Sequence, residues 1–379
     1  MRPFTFHPGP RIASGQALHE RLPSLLPEGP CLFVTDTGVR GLGLADSFVA
    51  ALEQSGRPVT VFDRVEADPS KETLLAAVEA GEGARSVVGF GGGSPMDVAK
   101  LASYLLGSGD DLDSIWGVDI AKGQRHPLVL VPTTAGTGSE ATPISVITCG
   151  DGVKLAVNAR PLTADWALLD PELTIGLPAH VTAATGIDAI VHAVEAYTSA
   201  RLKNPLSDAL AREALKLLSE NLLTACRHPG DIGARSAMLL GAHLAGIAFS
   251  NAPVGGVHAL AYPLGGLFHL PHGLSNALML RPVLDHNSEA ARQLYAELAP
   301  ILDPALEQVG SQAQAKGFID TVCTLAADTG VSLRLRDHGI GEGDIPTLAR
   351  EAMKQTRLLV NNPCPIEEAD ARRLYEAAW

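Results

Sequence analysis

The sequence predicts an α/β domain with a mostly parallel, Rossmann-like sheet over residues 1–178, followed by an all-α domain over residues 179–379. In the first part, short apolar runs that suit buried strands alternate with helical stretches, which is the pattern of βαβ units around a parallel sheet. From Ala179 onward the pattern is helical almost throughout, with helices expected at 179–199, 205–226 and 231–250. A chain of 379 residues is long enough to form two such cores.

The order of elements in the first domain follows from these runs. Strands are expected in the runs CLFVTD, PVTVFD, SVVGF and PLVLVPT, and helices at 18–26, 43–54 and 70–79. Residues 3–15 alternate weakly around Pro8-Gly9-Pro10, which predicts an opening pair of strands. The runs ISVIT and KLAVNA flank an Asp-Gly turn and predict a β-hairpin. Leu177-Pro178 marks the expected domain boundary.

Composition excludes several classes of function. A net charge of −13 without any basic cluster argues against a nucleic-acid partner. The five cysteines are scattered without a CxxC pair, which indicates free thiols in a reducing compartment. The N-terminus lacks the apolar core of a signal peptide, and the longest apolar stretch, AMLLGAHLAGIAF, contains about 13 residues, too short to span a bilayer. We therefore expect a soluble cytoplasmic protein without a membrane partner.

One aspartate and three histidines are spaced like the ligands of a metal. In GIDAIVHAVEAYTS, Asp188 and His192 are one helical turn apart on one face. His258 and His272 follow in GGVHALAYPLGGLFHLPHG, where two intervening prolines predict separate short helices. One carboxylate and three imidazoles suit divalent zinc or iron, and about one positive charge would remain to act as a Lewis acid. The alternative is that these are ordinary histidines in a chain that has twelve.

Two loops have the composition of a nucleotide site. The strand SVVGF leads into Gly91–Gly93, and Ser94-Pro95 then opens a helix with Pro95 expected at its first position, which predicts a phosphate cradle. Asp97, on the first helical turn, is interpreted as structural. The loop TTAGTGSE follows another strand and offers the hydroxyl groups of Thr133, Thr134 and Thr137. A structural glycine turn and a polar turn without a ligand are the respective alternatives.

Asp36 follows the strand CLFVTD and indicates which cofactor is bound. A carboxylate just past a strand end can accept hydrogen bonds from ribose hydroxyls and would repel a 2′-phosphate. Asp36 precedes the glycines, whereas in a standard Rossmann unit the acidic residue follows them. The alternative is an aspartate that caps the turn before Thr37-Gly38.

The segments GIDAIVHAVEAYTS, VHALAYPLGG and PHG resemble the iron-containing, metal-dependent (group III) alcohol dehydrogenases. The resemblance implies a dehydroquinate synthase-like architecture, with Asp188, His192, His258 and His272 as ligands of Fe²⁺, or of Zn²⁺ as the second choice. It implies that NAD is the cofactor, favoured over NADP by Asp36. The other cofactor-binding residues implied by the matching motifs are Gly92, Gly93, Ser94, Thr133, Thr134, Thr137, Thr142 and Lys154.

The activity implied by the resemblance is hydride transfer between NAD(H) and a small alcohol or aldehyde, in a homodimer or larger homo-oligomer. At 262 the chain has Tyr where most members of the family have His, so Tyr262 or His269 is the candidate proton relay. Phe249 matches a position that lines the substrate pocket, with a packed core ring as the alternative. Tyr262 also keeps open a hydroxyacid–oxoacid transhydrogenase, beside a maleylacetate reductase-like activity. A sugar-phosphate cyclase-type lyase is less favoured because few Lys or Arg residues surround the histidines, and a non-catalytic binding protein is the remaining class.

Overall fold

The computed structural model describes residues 3–150 and 153–379. The chain divides into two compact units, Pro8–Gly176 and Leu177–Trp379, and residues 3–7 belong with the second. The His7 N–H donates to Asn251 Oδ1 at 2.6 Å, and Asn251 Nδ2 donates to the His7 carbonyl at 2.9 Å. This return of the N-terminus to the helical unit depends on long-range contacts, which a local sequence pattern does not contain.

The α/β unit contains nine strands and five α-helices among its described residues. The strands are β1 (Arg11–Ser14), β2 (Cys31–Val34), β3 (Val59–Phe62), β4 (Ser86–Gly91), β5 (Gly117–Val118), β6 (Leu128–Pro132), β7 (Ile144–Cys149), β8 (Val153–Asn158) and β9 (Trp166–Leu169). The helices are α1 (Leu22–Leu25), α2 (Thr37–Gly41), α3 (Asp46–Gln54), α4 (Lys71–Ala80) and α5 (Gly93–Ser108).

Six of these strands form one sheet in the order β1-β9-β6-β4-β2-β3, and all neighbours are parallel. The predicted parallel sheet is therefore confirmed. Since β3 lies on one side of β2 and β4 on the other, the chain reverses its direction across the sheet between β2 and β4. Open α/β sheets bind ligands beyond the carboxyl ends of their strands at such a switch point.

The remaining strands form a small sheet in the order β5-β8-β7. β7 and β8 are antiparallel, with Ile144 opposite Asn158 and Cys149 opposite Val153, so the predicted hairpin is confirmed. Its Asp-Gly turn, at 151–152, lies outside the described residues.

The prediction of an opening strand pair over residues 3–15 is wrong. Only β1 is a strand in the described part of this stretch, and it pairs in parallel with β9 at the edge of the large sheet. Pro8 and Pro10 have no N–H to donate to a ladder, so the residues around them are poor strand formers despite their alternation.

Burial on both faces explains why the central strands are continuous apolar runs. Leu32 and Val34 of β2 belong to one buried cluster, whereas Cys31 and Phe33 belong to another. Successive side chains of a strand point to opposite faces, so each face of the sheet has its own core. Gly89 in β4 permits close packing of α5, because a Cβ there would lie 2.6 Å from the Ala99 Cβ.

The second unit is helical. Its α-helices are α6 (Ala179–Thr198), α7 (Pro205–Arg227), α8 (Ile232–Asn251), α9 (Gly256–Phe268), α10 (His272–Asn287), α11 (Arg292–Leu302), α12 (Ser311–Asp328), α13 (Ile345–Ala352), α14 (Thr356–Leu359) and α15 (Glu368–Ala378). The described residues of this unit contain no strand, as expected. Helices α6, α7 and α8 pack against one another, and α10 packs on α6 and α9.

The length argument made for the apolar stretch AMLLGAHLAGIAF is wrong. It lies within α8, a helix of 20 residues that is long and apolar enough to cross a membrane by length and composition alone. In the structure, 61% of its most apolar window is buried, and it packs against α6 and α7. Helix α8 is accordingly described as a core helix of the second unit.

Candidate metal centre and cofactor cradle

The structure brings the four predicted metal ligands together. Asp188 and His192 lie one turn apart on the buried face of α6, His258 lies in the first turn of α9, and His272 is the first residue of α10. One donor atom from each residue lies within 4.8 Å of all the others. Asp188 Oδ1 is 3.7 Å from His272 Nε2 and 3.9 Å from His258 Nε2. Donor atoms around a tetrahedral ion held at about 2.1 Å would be roughly 3.4 Å apart.

His258 and His272 occupy separate helices, as predicted, but only one proline is responsible. Pro263 lies inside α9 without ending it. The helix ends at Phe268, followed by His269 in the left-handed conformation (φ 55°), and Pro271 is the N-cap of α10. A proline in a helix interior removes one hydrogen bond, and α9 continues despite that loss.

The ligand set is asymmetric in its exposure to solvent. Asp188, His192 and His258 are buried, whereas the His272 side chain is 41% exposed. Burial alone would raise the pKa of the Asp188 carboxyl, but the neighbouring imidazoles of His192, His272 and His258 and the Asn276 amide together lower that pKa. The carboxylate form is therefore favoured, which is the form that binds a cation.

The donor chemistry of this cluster suits a divalent cation. Asn276 Nδ2 donates to Asp188 Oδ1 at 2.6 Å and lies 3.2 Å and 3.3 Å from Nε2 of His258 and His272. One amide nitrogen thus faces a carboxylate oxygen and two imidazole nitrogens, while its own Oδ1 is buried without a hydrogen-bond partner in the described structure. A cation that accepts several lone pairs at one point matches these three acceptors better than the two N–H donors of one amide nitrogen do.

Glu195 and Asn276 are two neighbours of the ligands that the sequence analysis missed. Glu195 Oε2 lies 2.6 Å from His258 Nδ1, and Glu195 Oε1 accepts from the Val257 N–H at 2.7 Å. Helical spacing contained a signal for both residues. Glu195 is seven residues after Asp188 and Asn276 is four after His272, so each shares a face with a ligand.

The three residues predicted to act at the substrate are placed differently from one another. The half-buried Phe249 ring stacks on His192 with 4.4 Å between ring centroids. The half-buried Tyr262 ring has its centroid 6.0 Å from that of His272. His269 is exposed at the end of α9. The structure thus brings Phe249 and Tyr262 beside predicted ligands.

In the α/β unit, strand register explains how Asp36 can act with glycines that lie 55 residues later. Val34 of β2 pairs with Gly89 of β4, so the residues that follow the two strands are neighbours. A Cβ at Gly91 would lie 3.2 Å from Asp36 Oδ2. The other carboxylate oxygen accepts from the Val39 N–H at 2.8 Å, so Asp36 also caps α2.

The glycine loop and the threonine loop meet at this edge of the sheet. Gly92 is the N-cap of α5, and a Cβ there would lie 3.7 Å from Thr134 Oγ1. A Cβ at Gly93 would lie 3.2 Å from Thr137 Cγ2. Side chains at these glycines would narrow the space that backbone N–H groups at the helix N-terminus need to approach a phosphate. Both glycines and both threonines are only partly buried.

Helix α5 begins two residues earlier than predicted. Gly93 and Ser94 are its first two residues and Pro95 is its third, so the expected place of Pro95 at the first helical position is wrong. A missing N–H is tolerated there as well, because none of the first helical N–H groups has a partner within the helix. The N–H groups of Gly93 and Ser94 therefore precede the proline at the helix N-terminus.

Three other predicted cofactor residues have structural contacts. Thr133 is buried, and its N–H donates to the Gly91 carbonyl at 2.9 Å. Thr142 is buried, and its hydroxyl donates to the Ser139 carbonyl at 3.3 Å. Lys154 forms an ion pair with Asp68 at 2.6 Å on the exposed face of β8. Their predicted roles toward the cofactor remain predictions.

A buried lysine that the sequence analysis did not identify anchors the threonine loop. Lys100 Nζ donates to the Ser139 carbonyl at 2.9 Å and to Ser139 Oγ at 2.7 Å, and it lies 3.0 Å from Asp97 Oδ1. Asp97 also accepts from Ser139 Oγ at 2.6 Å and from the Val146 N–H at 2.9 Å. Burial lowers the pKa of Lys100, and the Asp97 carboxylate opposes that shift. The structural interpretation of Asp97 agrees with these contacts.

Comparison with known families places the chain. The profile described as iron-containing alcohol dehydrogenase matches residues 9–171, and the one described as Fe-containing alcohol dehydrogenase family, C-terminal, matches residues 182–379. The chain belongs to the iron-containing alcohol dehydrogenase family. The resemblance stated from its motifs is confirmed, and the chain is an alcohol oxidoreductase.

Individual alcohol dehydrogenases and aldehyde reductases are also similar to this chain in sequence and in structure. Long-chain-alcohol dehydrogenase 1 of Geobacillus thermodenitrificans (strain NG80-2) is 40% identical over 353 residues, which are 92% of this chain and 89% of that protein. The crystal structure of a 1,3-propanediol oxidoreductase is 33% identical, with a TM-score of 0.96 and full coverage of both chains. Sulfoacetaldehyde reductase from Bifidobacterium kashiwanohense, solved in complex with NAD⁺, is 26% identical, with a TM-score of 0.88 over 100% of this chain and 99% of that chain.

These similarities confirm the fold class, including the dehydroquinate synthase-like architecture. They also support an alcohol dehydrogenase or aldehyde reductase activity for this iron-containing alcohol dehydrogenase. The transhydrogenase, maleylacetate reductase-like and lyase alternatives are not favoured.

We predict that Lys100→Met lowers the free energy of unfolding of the α/β unit by about 3 kcal/mol, because the partly buried Asp97 carboxylate loses its cation. Urea denaturation followed by circular dichroism measures the change. Lys100→Met combined with Asp97→Asn is expected to recover part of the loss, since the Asp97 carboxylate is then no longer left without its cation. Unchanged stability in the single variant would contradict the anchoring role of Lys100.

Proposed function

We propose that this enzyme is a metal-dependent alcohol dehydrogenase and aldehyde reductase that uses NAD(H) and acts on small, uncharged alcohols and aldehydes. Asp188, His192, His258 and His272 would hold one divalent metal, with Fe²⁺ as the first choice and Zn²⁺ as the second. The observation that carries the proposal is the convergence of one carboxylate and three imidazoles within 4.8 Å. We further propose a cytoplasmic homodimer or larger homo-oligomer.

A divalent ion in this set would polarise the oxygen of an alcohol or carbonyl, while NAD would accept or return hydride at the adjacent carbon. The protein residues supply the geometry for this chemistry. Three buried ligands and one partly exposed ligand leave access from the His272 side, where a substrate oxygen can approach. Phe249 restricts the His192 ring by stacking on it.

The proton released from the alcohol needs a route to water. The Tyr262 phenol lies on the accessible side beside His272, so its hydroxyl is the first candidate to relay that proton. A phenol with an ordinary pKa near 10 is a weaker acid–base group at neutral pH than an imidazole at this position would be. His269, exposed at the end of α9, is the second candidate.

The cofactor proposal depends on the edge of the sheet beyond β2, β4 and β6. The N–H groups at the start of α5 would hold the pyrophosphate above Gly92, Gly93 and Ser94, and Thr134 and Thr137 would donate from the adjoining loop. Asp36, next to Gly91, would accept hydrogen bonds from the ribose hydroxyls. The NAD⁺ bound to the related sulfoacetaldehyde reductase supports this choice of cofactor.

An uncharged substrate is favoured by the surroundings of the ligand set. Four side chains that contact the ligand set are Glu195, Asn276, Phe249 and Tyr262, and none of these four is a cation. A carboxylate or phosphate on the substrate would find no complementary positive side chain among them. The relatives named above act on different alcohols or aldehydes by their names, so the size of the substrate is left to the assay.

The deciding experiment measures NADH oxidation by metal-depleted enzyme after Fe²⁺ or Zn²⁺ is restored, with short aldehydes and 2-oxoacids as substrates. We expect no turnover without metal, and metal-dependent turnover with stoichiometric alcohol formation from uncharged aldehydes. Asp188→Asn is expected to lose both metal and activity. If metal and NAD bind but no aldehyde is reduced, the proposed function is wrong. A preference for 2-oxoacids would overturn the proposed substrate class.

We predict that Asp36→Ser raises the ratio of kcat/KM with NADP to that with NAD by about tenfold or more, because a carboxylate no longer opposes the 2′-phosphate. Serine is also a good N-cap, so α2 should keep its start. The exposed Asp46→Asn, which also removes one carboxylate from this unit, is the matched control and should leave the ratio unchanged. An unchanged ratio in Asp36→Ser would remove Asp36 from the cofactor site.

We predict that Tyr262→Phe lowers kcat by roughly tenfold, less than the 10²–10⁴ typical of a direct acid–base catalyst, because only a relay is lost. Metal content, measured by plasma emission spectroscopy, should stay at the level of the parent enzyme. Loss of the metal would instead mean that Tyr262 supports the ligands. His269→Gln, assayed in parallel, distinguishes the two relay candidates, since the larger fall in kcat identifies the residue that carries the proton.

A further inference from the structure

A buried carboxylate lies directly behind one of the proposed metal ligands. The Glu195 side chain is 6% exposed, and its Oε2 lies 2.6 Å from Nδ1 of the buried His258 ring. Both Nδ1 and its carboxylate partner are sequestered from water, so solvent does not compete for this hydrogen bond. Glu195 is on α6, the helix that also carries Asp188 and His192.

This contact favours one tautomer of His258. At 2.6 Å a proton must lie between Glu195 Oε2 and His258 Nδ1, and because a carboxylate in its ionised form only accepts hydrogen bonds, Nδ1 is the N–H donor to that form. In a neutral imidazole the other nitrogen then has the free lone pair. That nitrogen, Nε2, is on the side of the ligand set, 3.9 Å from Asp188 Oδ1 and 3.2 Å from Asn276 Nδ2.

The second oxygen of Glu195 holds the backbone next to the ligand. Oε1 accepts from the Val257 N–H at 2.7 Å, and Val257 immediately precedes His258 in the first turn of α9. The first N–H groups of a helix have no partner within it, and the positive end of the helix dipole stabilises a carboxylate there. One side chain therefore contacts both the ring of His258 and the backbone that carries that ring.

We propose that Glu195 is a positioning residue of the metal centre, which presents His258 Nε2 to the ion in one tautomer and one orientation. The inference rests on the proposed function, because it assumes that the ligand set binds a metal. Glu195 contacts His258 through Nδ1 and is not among the four residues whose donor atoms converge, so we do not propose it as a ligand. A hydrogen-bonded carboxylate behind a metal-bound histidine typically contributes 10- to 100-fold to metal affinity.

Glu195→Gln tests the proposal because glutamine has nearly the same shape but cannot make both bonds. If the glutamine oxygen accepts from the Val257 N–H, its NH₂ group donates to His258 Nδ1. The imidazole proton then moves to Nε2, where it occupies the lone pair that would bind the metal. If its oxygen faces His258, its NH₂ group opposes the Val257 N–H. We expect Zn²⁺ affinity to fall by about 10- to 100-fold, measured by competition with a chromophoric chelator. NAD affinity should be unchanged.

Glu297→Gln is the matched control. It makes the same substitution in the same unit at a carboxylate that accepts from the Tyr197 hydroxyl at 2.7 Å and from Gln293 Nε2 at 3.4 Å, and its Zn²⁺ affinity should equal that of the parent. Glu195→Asp retains an acceptor-only group and should recover part of the affinity lost in Glu195→Gln. Equal Zn²⁺ affinity in the parent and Glu195→Gln would overturn the inference while leaving the proposed function intact. Failure of the parent itself to bind Zn²⁺ and Fe²⁺ would overturn both.

A second readout does not depend on metal binding or on the stability of a variant. Nitrogen NMR of the metal-depleted parent, labelled with ¹⁵N-histidine, distinguishes the two neutral tautomers. We expect the proton of His258 on Nδ1 in the parent, and on Nε2 in Glu195→Gln when the glutamine oxygen accepts from the Val257 N–H. A parent enzyme with the proton on Nε2 would overturn the proposal even if Glu195→Gln does not fold.

Discussion

The buried carboxylate of Asp188 is the constraint on which the helical unit and its proposed metal centre depend. Burying an ionised group that is only 1% exposed costs free energy unless neighbouring groups balance its charge and donate hydrogen bonds to it. The compensation comes from three helices, with His192 on the same helix, His258 at the start of α9, and His272 and Asn276 on α10. The packing of α6, α9 and α10 therefore also arranges the side chains of the proposed metal site.

Each contact around the four proposed ligands restrains one imidazole ring or one carboxylate oxygen. Glu195 holds Nδ1 of His258, Phe249 stacks on His192, and Asn276 donates to Asp188. Preorganisation of this kind lowers the cost of assembling the ligands when an ion arrives. His272 is the exception, since its side chain is partly exposed, and this places the accessible side of the site beside Tyr262.

In the α/β unit a buried cation, Lys100, holds neighbouring segments together, as the buried anion Asp188 does in the helical unit. Lys100 has no exposed surface, and it joins α5 to the loop that follows β6 through Ser139. Asp97, one turn earlier, balances its charge. The glycine loop at the start of α5 and the threonine loop are thereby held in one arrangement, as the proposed cofactor site requires. The same residues give the helix its packing and the loop its shape.

The sequence by itself was sufficient for the fold class, the order of most elements and the set of residues proposed to bind metal. Apolar runs and helical spacing are local properties of the sequence. The four-residue step from Asp188 to His192 by itself places both side chains on one face of a helix. Local sequence pattern was less reliable in three places: the strand pair over residues 3–15, the first residue of α5, and the argument that the apolar stretch in α8 is too short to span a bilayer.

Only the tertiary structure decided which distant residues meet. The parallel register of β2 and β4 places Asp36 beside Gly91, and the convergence of α6 and α9 places Glu195 behind His258. Neither contact has a signal in the residues that lie between the partners. The physical reason is that contacts between segments far apart in the chain depend on how whole elements pack, and a local pattern specifies an element without specifying its neighbour.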